Sequence, residues 1–242
     1  MTTTRRRLTS TPAARLRSLG VVGAASLLML TGCSGWHPGV AADVNGTTIS
    51  VSEVDQLADS FCTGYKPQLG STGASGQVPG ALSLSSLRVG VLQQLVAREV
   101  ADEVGRDFDV TPGVTYKRAV QSARAAAAAV PEAVRDDFVD VQTTGDYISD
   151  IVTQAAQKDL VASGTANPTQ QQISDHASEM FAAYLDKADI EIDPRFGMGS
   201  DLQAKDGSVS FAVSKVATGG EKSADDDEAY AQSLPASLRC EK

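Results

Sequence analysis

Aromatic residues make up only 5% of the chain, histidine occurs twice and cysteine three times, and each scarcity removes a class of function. With a single tryptophan, Trp36, there is little from which to build the aromatic-walled groove that accompanies two-carboxylate sugar hydrolysis. A Ser/His/Asp triad or a histidine metal site would have to use His37 or His176. His37 falls in a short Gly/Pro stretch, and His176 stands between polar neighbours on a predicted helix, with no second histidine or free cysteine beside it. Phosphate-binding loops, G-x-S-x-G elbows and dinucleotide fingerprints are absent. The expectation is a protein that is not an enzyme and holds neither metal nor cofactor. Long apolar runs are missing too: the longest, "LGVVGAASLLML" at residues 19–30, falls short of the about 20 residues a spanning helix needs.

That run follows Arg5, Arg6, Arg7, Arg15 and Arg17, and residues 1–32 contain no acidic residue. A basic start, a short apolar stretch and small residues before a cut describe a secretory signal peptide. Directly after it, "LTGC" at Leu30–Cys33 resembles the lipobox of bacterial lipoproteins, which implies that Cys33 is lipidated and becomes the new N-terminus. The alternative is an ordinary signal peptide that ends beside a structural cysteine. Cleavage leaves 16 basic against 30 acidic residues, a formal charge of −14. Such a body repels nucleic acid and anionic headgroups, so acyl chains rather than basic side chains would hold it to the membrane. The expected location is the extracytoplasmic face of the cell membrane. Cys62 and Cys240 then remain, an even pair in an oxidising compartment. They would close nearly the whole domain in one disulfide, or else stay as two separate buried thiols.

After a tether at 33–40, residues 41–242 are long enough for one domain with its own core. "AADV" and "TTIS" flank Asn45-Gly46, the strongest short hairpin signal, since both central residues of a type I′ turn need positive φ. Ser52 with Asp55, or Ser50 with Glu53, caps a helix running to about Cys62. Residues 64–80 are so rich in Gly, Ser and Pro that they read as a flexible loop. From Ser83 to Gly105, Leu84, Leu87, Val91 and Leu95 form one stripe and Leu92, Val96, Val100 and Val104 another, the mark of a central helix. Thr111-Pro112 opens the next helix, which runs into Ala125–Ala129. Pro131 to Val141 and Asp146 to Ser163 read as two more, and Asn167-Pro168 caps another, about six in all. The chain then turns β-like at 188–216, in "ADIEID" and "SVSFAVSKVA". Residues 217–242 read as a polar tail held only by Cys240, its Asp225–Glu228 run a linker or helix start rather than a calcium loop.

"AADVNGTTISVSEVDQL" is similar to the start of the N-terminal domain of SurA/PrsA-type extracytoplasmic chaperones, in Val44, Asn45, Gly46, Ile49, Ser52, Val54 and Leu57. "VLQQLVAREVADEVGRDFDVTP" matches that family's long helix and exit, in Leu92, Leu95, Val96, Ala101, Gly105, Val110 and Thr111. The resemblance implies a mainly α SurA-N-like helical domain with a small β-hairpin or sheet, formed where N- and C-terminal segments meet. No parvulin pattern follows, and the residues after Ala188 are too few for one, so the prolyl isomerase activity of many relatives is unsupported and at most vestigial. The expectation is a lipid-anchored chaperone or assembly factor that binds unfolded or nascent exported polypeptides. The alternative is an envelope scaffold for one specific partner. Met180, Phe181, Tyr184, Phe196 and Met198 are the candidates for a client-binding crevice, because methionine-rich surfaces adapt to varied partners; the same residues would serve equally as core.

Overall fold

Asn45 and Gly46 both have positive φ, 51° and 85°, so the Asn-Gly turn is formed as its residue types dictate. A computed structural model of the chain describes residues 38–73, 76–203 and 227–242. The turn joins strands β1 (Val40–Val44) and β2 (Thr47–Ser50), which pair antiparallel with Ala42 opposite Ile49 and Val44 opposite Thr47. The Gly46 N–H donates to Asp43 Oδ1 at 2.8 Å and closes the turn. Strand β6 (Ile190–Ile192) lies on the other side of β1, giving the order β2-β1-β6. N- and C-terminal segments therefore share one small antiparallel sheet, whose inward residues Ala41, Ala42, Val44 and Ile49 are buried.

Helix α1 (Val51–Tyr65) starts at once. Of the two candidate caps Ser50 is used, its Oγ accepting from the Glu53 N–H at 3.1 Å, because the end of β2 already holds Ser50 in the extended conformation a cap requires. Helix α2 (Leu84–Asp107), capped by Ser83, is the centre of the molecule. Leu92, Val96, Val100 and Val104 are fully buried, and the helix touches α1, the sheet and, further along the chain, α4 (Glu132–Ala162) and α5 (Gln170–Lys187). Two adjacent apolar stripes make a face wide enough for all of these neighbours. With α3 (Val114–Ala126) and α6 (Asp227–Ser233), six helices and a small sheet make the described fold mainly α.

Three helix boundaries differ from the sequence expectation. Helix α3 begins after Gly113 rather than at Thr111-Pro112, and the Gly113 N–H, with no side-chain cap of its own, donates to Asp150 Oδ2 of α4 at 2.6 Å. The stretches 131–141 and 146–163 are one continuous helix of 31 residues. Its weak centre, Thr143-Thr144-Gly145, is sustained because both threonines are 3% exposed and donate to the carbonyls of Val139 and Asp140, so packing overrides propensity. Helix α5 is capped by Thr169, in a reciprocal box with Gln172, two residues beyond Asn167.

Residues 64–80 are not an unpacked loop. The end of α1 and a 3-10 turn, Lys66–Gln68, lead to Leu69, which is 1% exposed, and a short hairpin, β3 (Thr72–Gly73) with β4 (Gly76–Gln77), precedes β5 (Ala81–Ser83). The expected polar tail is also packed at its end. Strand β7 (Arg239–Glu241) pairs antiparallel with β5, Ala231 and Leu234 are buried, and Cys240 is bonded to Cys62 with 5.7 Å between Cα atoms. "SVSFAVSKVA" lies outside the described residues, as do Cys33, Trp36 and His37. Among the described residues no helix is long and apolar enough to cross a membrane.

Candidate functional site

The five crevice candidates do not line one crevice. Met180 is 8% exposed and belongs to a core cluster with Val104, Ala155, Ala156 and Ile173; Met198 is 2% exposed and packs with the sheet and α1 and α2. Both methionines are core. The reason lies in the chain path after α5. β6 takes the edge of β1, the 3-10 turn Pro194–Phe196 follows, and Met198 and the half-buried Phe196 join the same core cluster as the sheet. Tyr184 is half-buried as well, and its hydroxyl donates to Asp107 Oδ2 at 2.7 Å. Partial burial, and then that hydrogen bond, push the Tyr184 hydroxyl up to about 12.

Phe181 is the exception. Half-buried against α2 and α4, it also lines a recess of about 340 Å³ between α4 and α5, with Ile148, Val152 and Ala177 as its apolar wall and Ser149, Thr153, Ser174 and Ser178 around them. This is a shallow, mixed surface able to hold one or two apolar side chains of a partner.

A larger recess, about 600 Å³, opens where α1, α2 and α4 meet. It carries Glu53, Glu99, Asp102, Asp137 and Asp140, and Arg98 is its one basic residue. Arg98 is committed: its Nη1 lies 3.1 and 3.0 Å from the two carboxylate oxygens of Asp140, and its guanidinium sits 4.9 Å over the Tyr147 ring. The Tyr147 hydroxyl donates to Asp102, and Asp137 accepts from Gln56 and Ser60, both at 3.0 Å. Burial, and then the Asp102 carboxylate, raise the Glu99 carboxyl above its ordinary range. Sequence reasoning missed this arrangement. Its only signal is the i, i+3 spacing of Glu99 and Asp102 on α2 and of Asp137 and Asp140 on α4, lost among 30 acidic residues.

Neither recess is lined by a histidine or a cysteine. His176 lies on α5 with its Nε2 2.8 Å from Asp159 Oδ2 of α4, an inter-helix polar pair. Among the described residues no group of three or more potential metal ligands comes together. No family model matches the chain, and neither a curated protein nor a solved structure matches it.

Proposed function

We propose that this is a lipid-anchored, non-enzymatic chaperone or assembly factor on the extracytoplasmic face of the cell membrane, of the SurA N-terminal type and without a parvulin domain. One observation carries the reading. The two segments with the family resemblance fold as a hairpin with its helix and as the central helix packed on it, and a strand from the C-terminal third completes their sheet. That is the arrangement the resemblance implies. Cys33 would bear the lipid, five residues before the described body begins at Pro38, which keeps the domain beside the membrane where exported chains emerge and raises its effective concentration there. The negative body disfavours nucleic acid. Clients would make weak, reversible contact with the recess between α4 and α5, through Ile148, Val152, Ala177 and Phe181.

A second reading, a scaffold for one specific partner, is favoured by the burial of Met180 and Met198 and by the small number of strongly exposed large apolar residues among the described ones, Val114, Val161 and Leu238, each on a different element. General chaperones usually present a broader apolar surface. Aggregation of a thermally unfolding client such as citrate synthase, followed by light scattering with the mature chain from residue 34 present, separates the two. Suppression that is lost in a folded Ile148→Ser/Phe181→Ser variant supports the chaperone. No suppression, with one protein recovered by crosslinking in cells, supports the scaffold.

A further inference from the structure

β7 sits on β5 as an added peptide strand would. Ala81 lies opposite Glu241, Leu82 opposite Cys240 and Ser83 opposite Arg239, and β5 has no other strand partner among the described residues. Cys240, fully buried, fills an apolar floor made by Leu69, Tyr65, Leu82, Leu84 and Leu87. The rest of the C-terminal segment 227–242 leans on the same small area: the Gly80 N–H donates to Glu228 Oε1 at 2.7 Å, and α6 packs on β5.

The segment is also a small unit in its own right. Arg239 Nη1 donates to the carbonyls of Gln232 and Leu234 at 2.8 and 2.9 Å, and Arg239 Nε pairs with Glu241 at 2.8 Å. The core clusters that join α1, α2, α4, α5 and the three-stranded sheet contain no residue from 227–242; only the cluster around Cys62 and Leu69 includes one, Cys240. The covalent tie between this segment and α1 is the Cys62–Cys240 bond. Without it the segment is held by three residue pairs of strand, the Gly80–Glu228 hydrogen bond and the burial of Ala231 and Leu234 where α6 packs on β5, a small attachment that stands apart from the main cores.

The geometry points to residues 227–242 as a redox-latched strap over a polypeptide-binding site. Two electrons and two protons from an external dithiol convert the Cys62–Cys240 disulfide to two thiols, and the dithiol leaves as its own disulfide. The strap then detaches as a unit and the helical body stays folded. An extended apolar segment of an unfolded polypeptide takes the place of β7, its backbone pairing with β5 and one apolar side chain entering the floor that Cys240 occupies. The choice of occupant rests on the proposed chaperone function; the latch itself does not.

Hydrogen exchange on the oxidised mature chain, the same chain in excess dithiothreitol, and a Cys62→Ser/Cys240→Ser variant reads the latch. Protection at 81–83 and 239–241 is expected to fall by about tenfold or more in both opened forms, with α2 and α4 amides unchanged. Unchanged protection at β5 and β7, or equal loss through the whole molecule, overturns the proposal. Binding of carboxymethylated α-lactalbumin reads the site. The opened forms are expected to bind at least about tenfold more tightly than the oxidised chain, and Leu82→Asp in the Cys62→Ser/Cys240→Ser variant is expected to remove the gain. Equal binding by closed and opened forms overturns the covered site and leaves the chaperone reading intact. An opened strap with no binding by any form overturns both the occupant and the chaperone reading.

Discussion

Asn45 and Asp189 are tied by two hydrogen bonds across 144 residues of sequence. The Asn45 N–H donates to the Asp189 carbonyl at 2.9 Å, and the Asp189 N–H donates to Asn45 Oδ1 at 2.8 Å. Asn45 Nδ2 also reaches Glu103 of α2 at 2.5 Å. One residue therefore supplies the positive φ of the turn, docks the chain just before β6 and ties the hairpin tip to the central helix. Asn45→Gly keeps the backbone geometry and loses the side-chain bonds, and is expected to cost about 1–2 kcal/mol. Asn45→Ala adds about 1 kcal/mol more for a left-handed alanine. Urea midpoints of the two variants check both the sum and its division.

Gly64 and Gly145 are expected to respond to alanine in opposite directions. A Cβ at Gly64 would overlap the Phe138 ring, which is 2% exposed and held 5.6 Å from the Phe61 ring, centroid to centroid. With nowhere for the ring to go, Gly64→Ala should cost about 1–3 kcal/mol. Gly145 lies exposed in α4 and a Cβ there meets nothing within 4 Å, so Gly145→Ala should stabilise by about 0.5–1 kcal/mol. Thermal unfolding of the pair gives the signs directly.

The parts of the fold that could be read in advance are those fixed by local chemistry. Asn45-Gly46 admits few other conformations, and the double stripe from Leu84 to Val104 needs neighbours on more than one side, so the hairpin and the central helix were legible. Thr143-Thr144-Gly145 was misread as a break because its propensity is poor while the packing that rescues it comes from elsewhere in the chain. Leu69 is a lone apolar residue in a Gly/Ser stretch and carries no periodicity to announce its burial. Met180 and Met198 show the same limit at the candidate site. Methionine suits a core and an adaptable surface equally, and only the return of the chain through β6 decides between them.

Glu99 should contribute more stability in mild acid than at neutral pH. Its carboxyl is raised by burial and by Asp102, so the folded state disfavours its ionised form. For a raised acid the stabilising contribution is fully present below the unfolded value, near 4.3, and is lost as pH climbs through the higher folded value. Glu99→Gln is therefore expected to raise the urea midpoint at pH 7 and to leave it nearly unchanged at pH 4. Because the residue is largely solvent-screened the gain is modest; an unchanged midpoint at pH 7 would show that the recess tolerates its full charge.

Tyr184 and Tyr147 should set the alkaline limit of the fold. Tyr184 is pushed up to about 12 by partial burial and by its hydrogen bond to Asp107, and Tyr147 is raised further, by burial first and then by its bond to Asp102. An unfolded tyrosine ionises near 10. The stability these two hydroxyls contribute is thus complete below pH 10 and falls away as pH rises toward their folded values, since the unfolded chain releases protons that the folded one retains. Absorbance titration at 295 nm should show two tyrosines that ionise late, well above the ordinary range, with unfolding and that late ionisation coinciding. Tyr147→Phe and Tyr184→Phe should each flatten the decline in stability above pH 10 while changing its value at pH 7 by only about 1 kcal/mol, the worth of one partly exposed hydrogen bond.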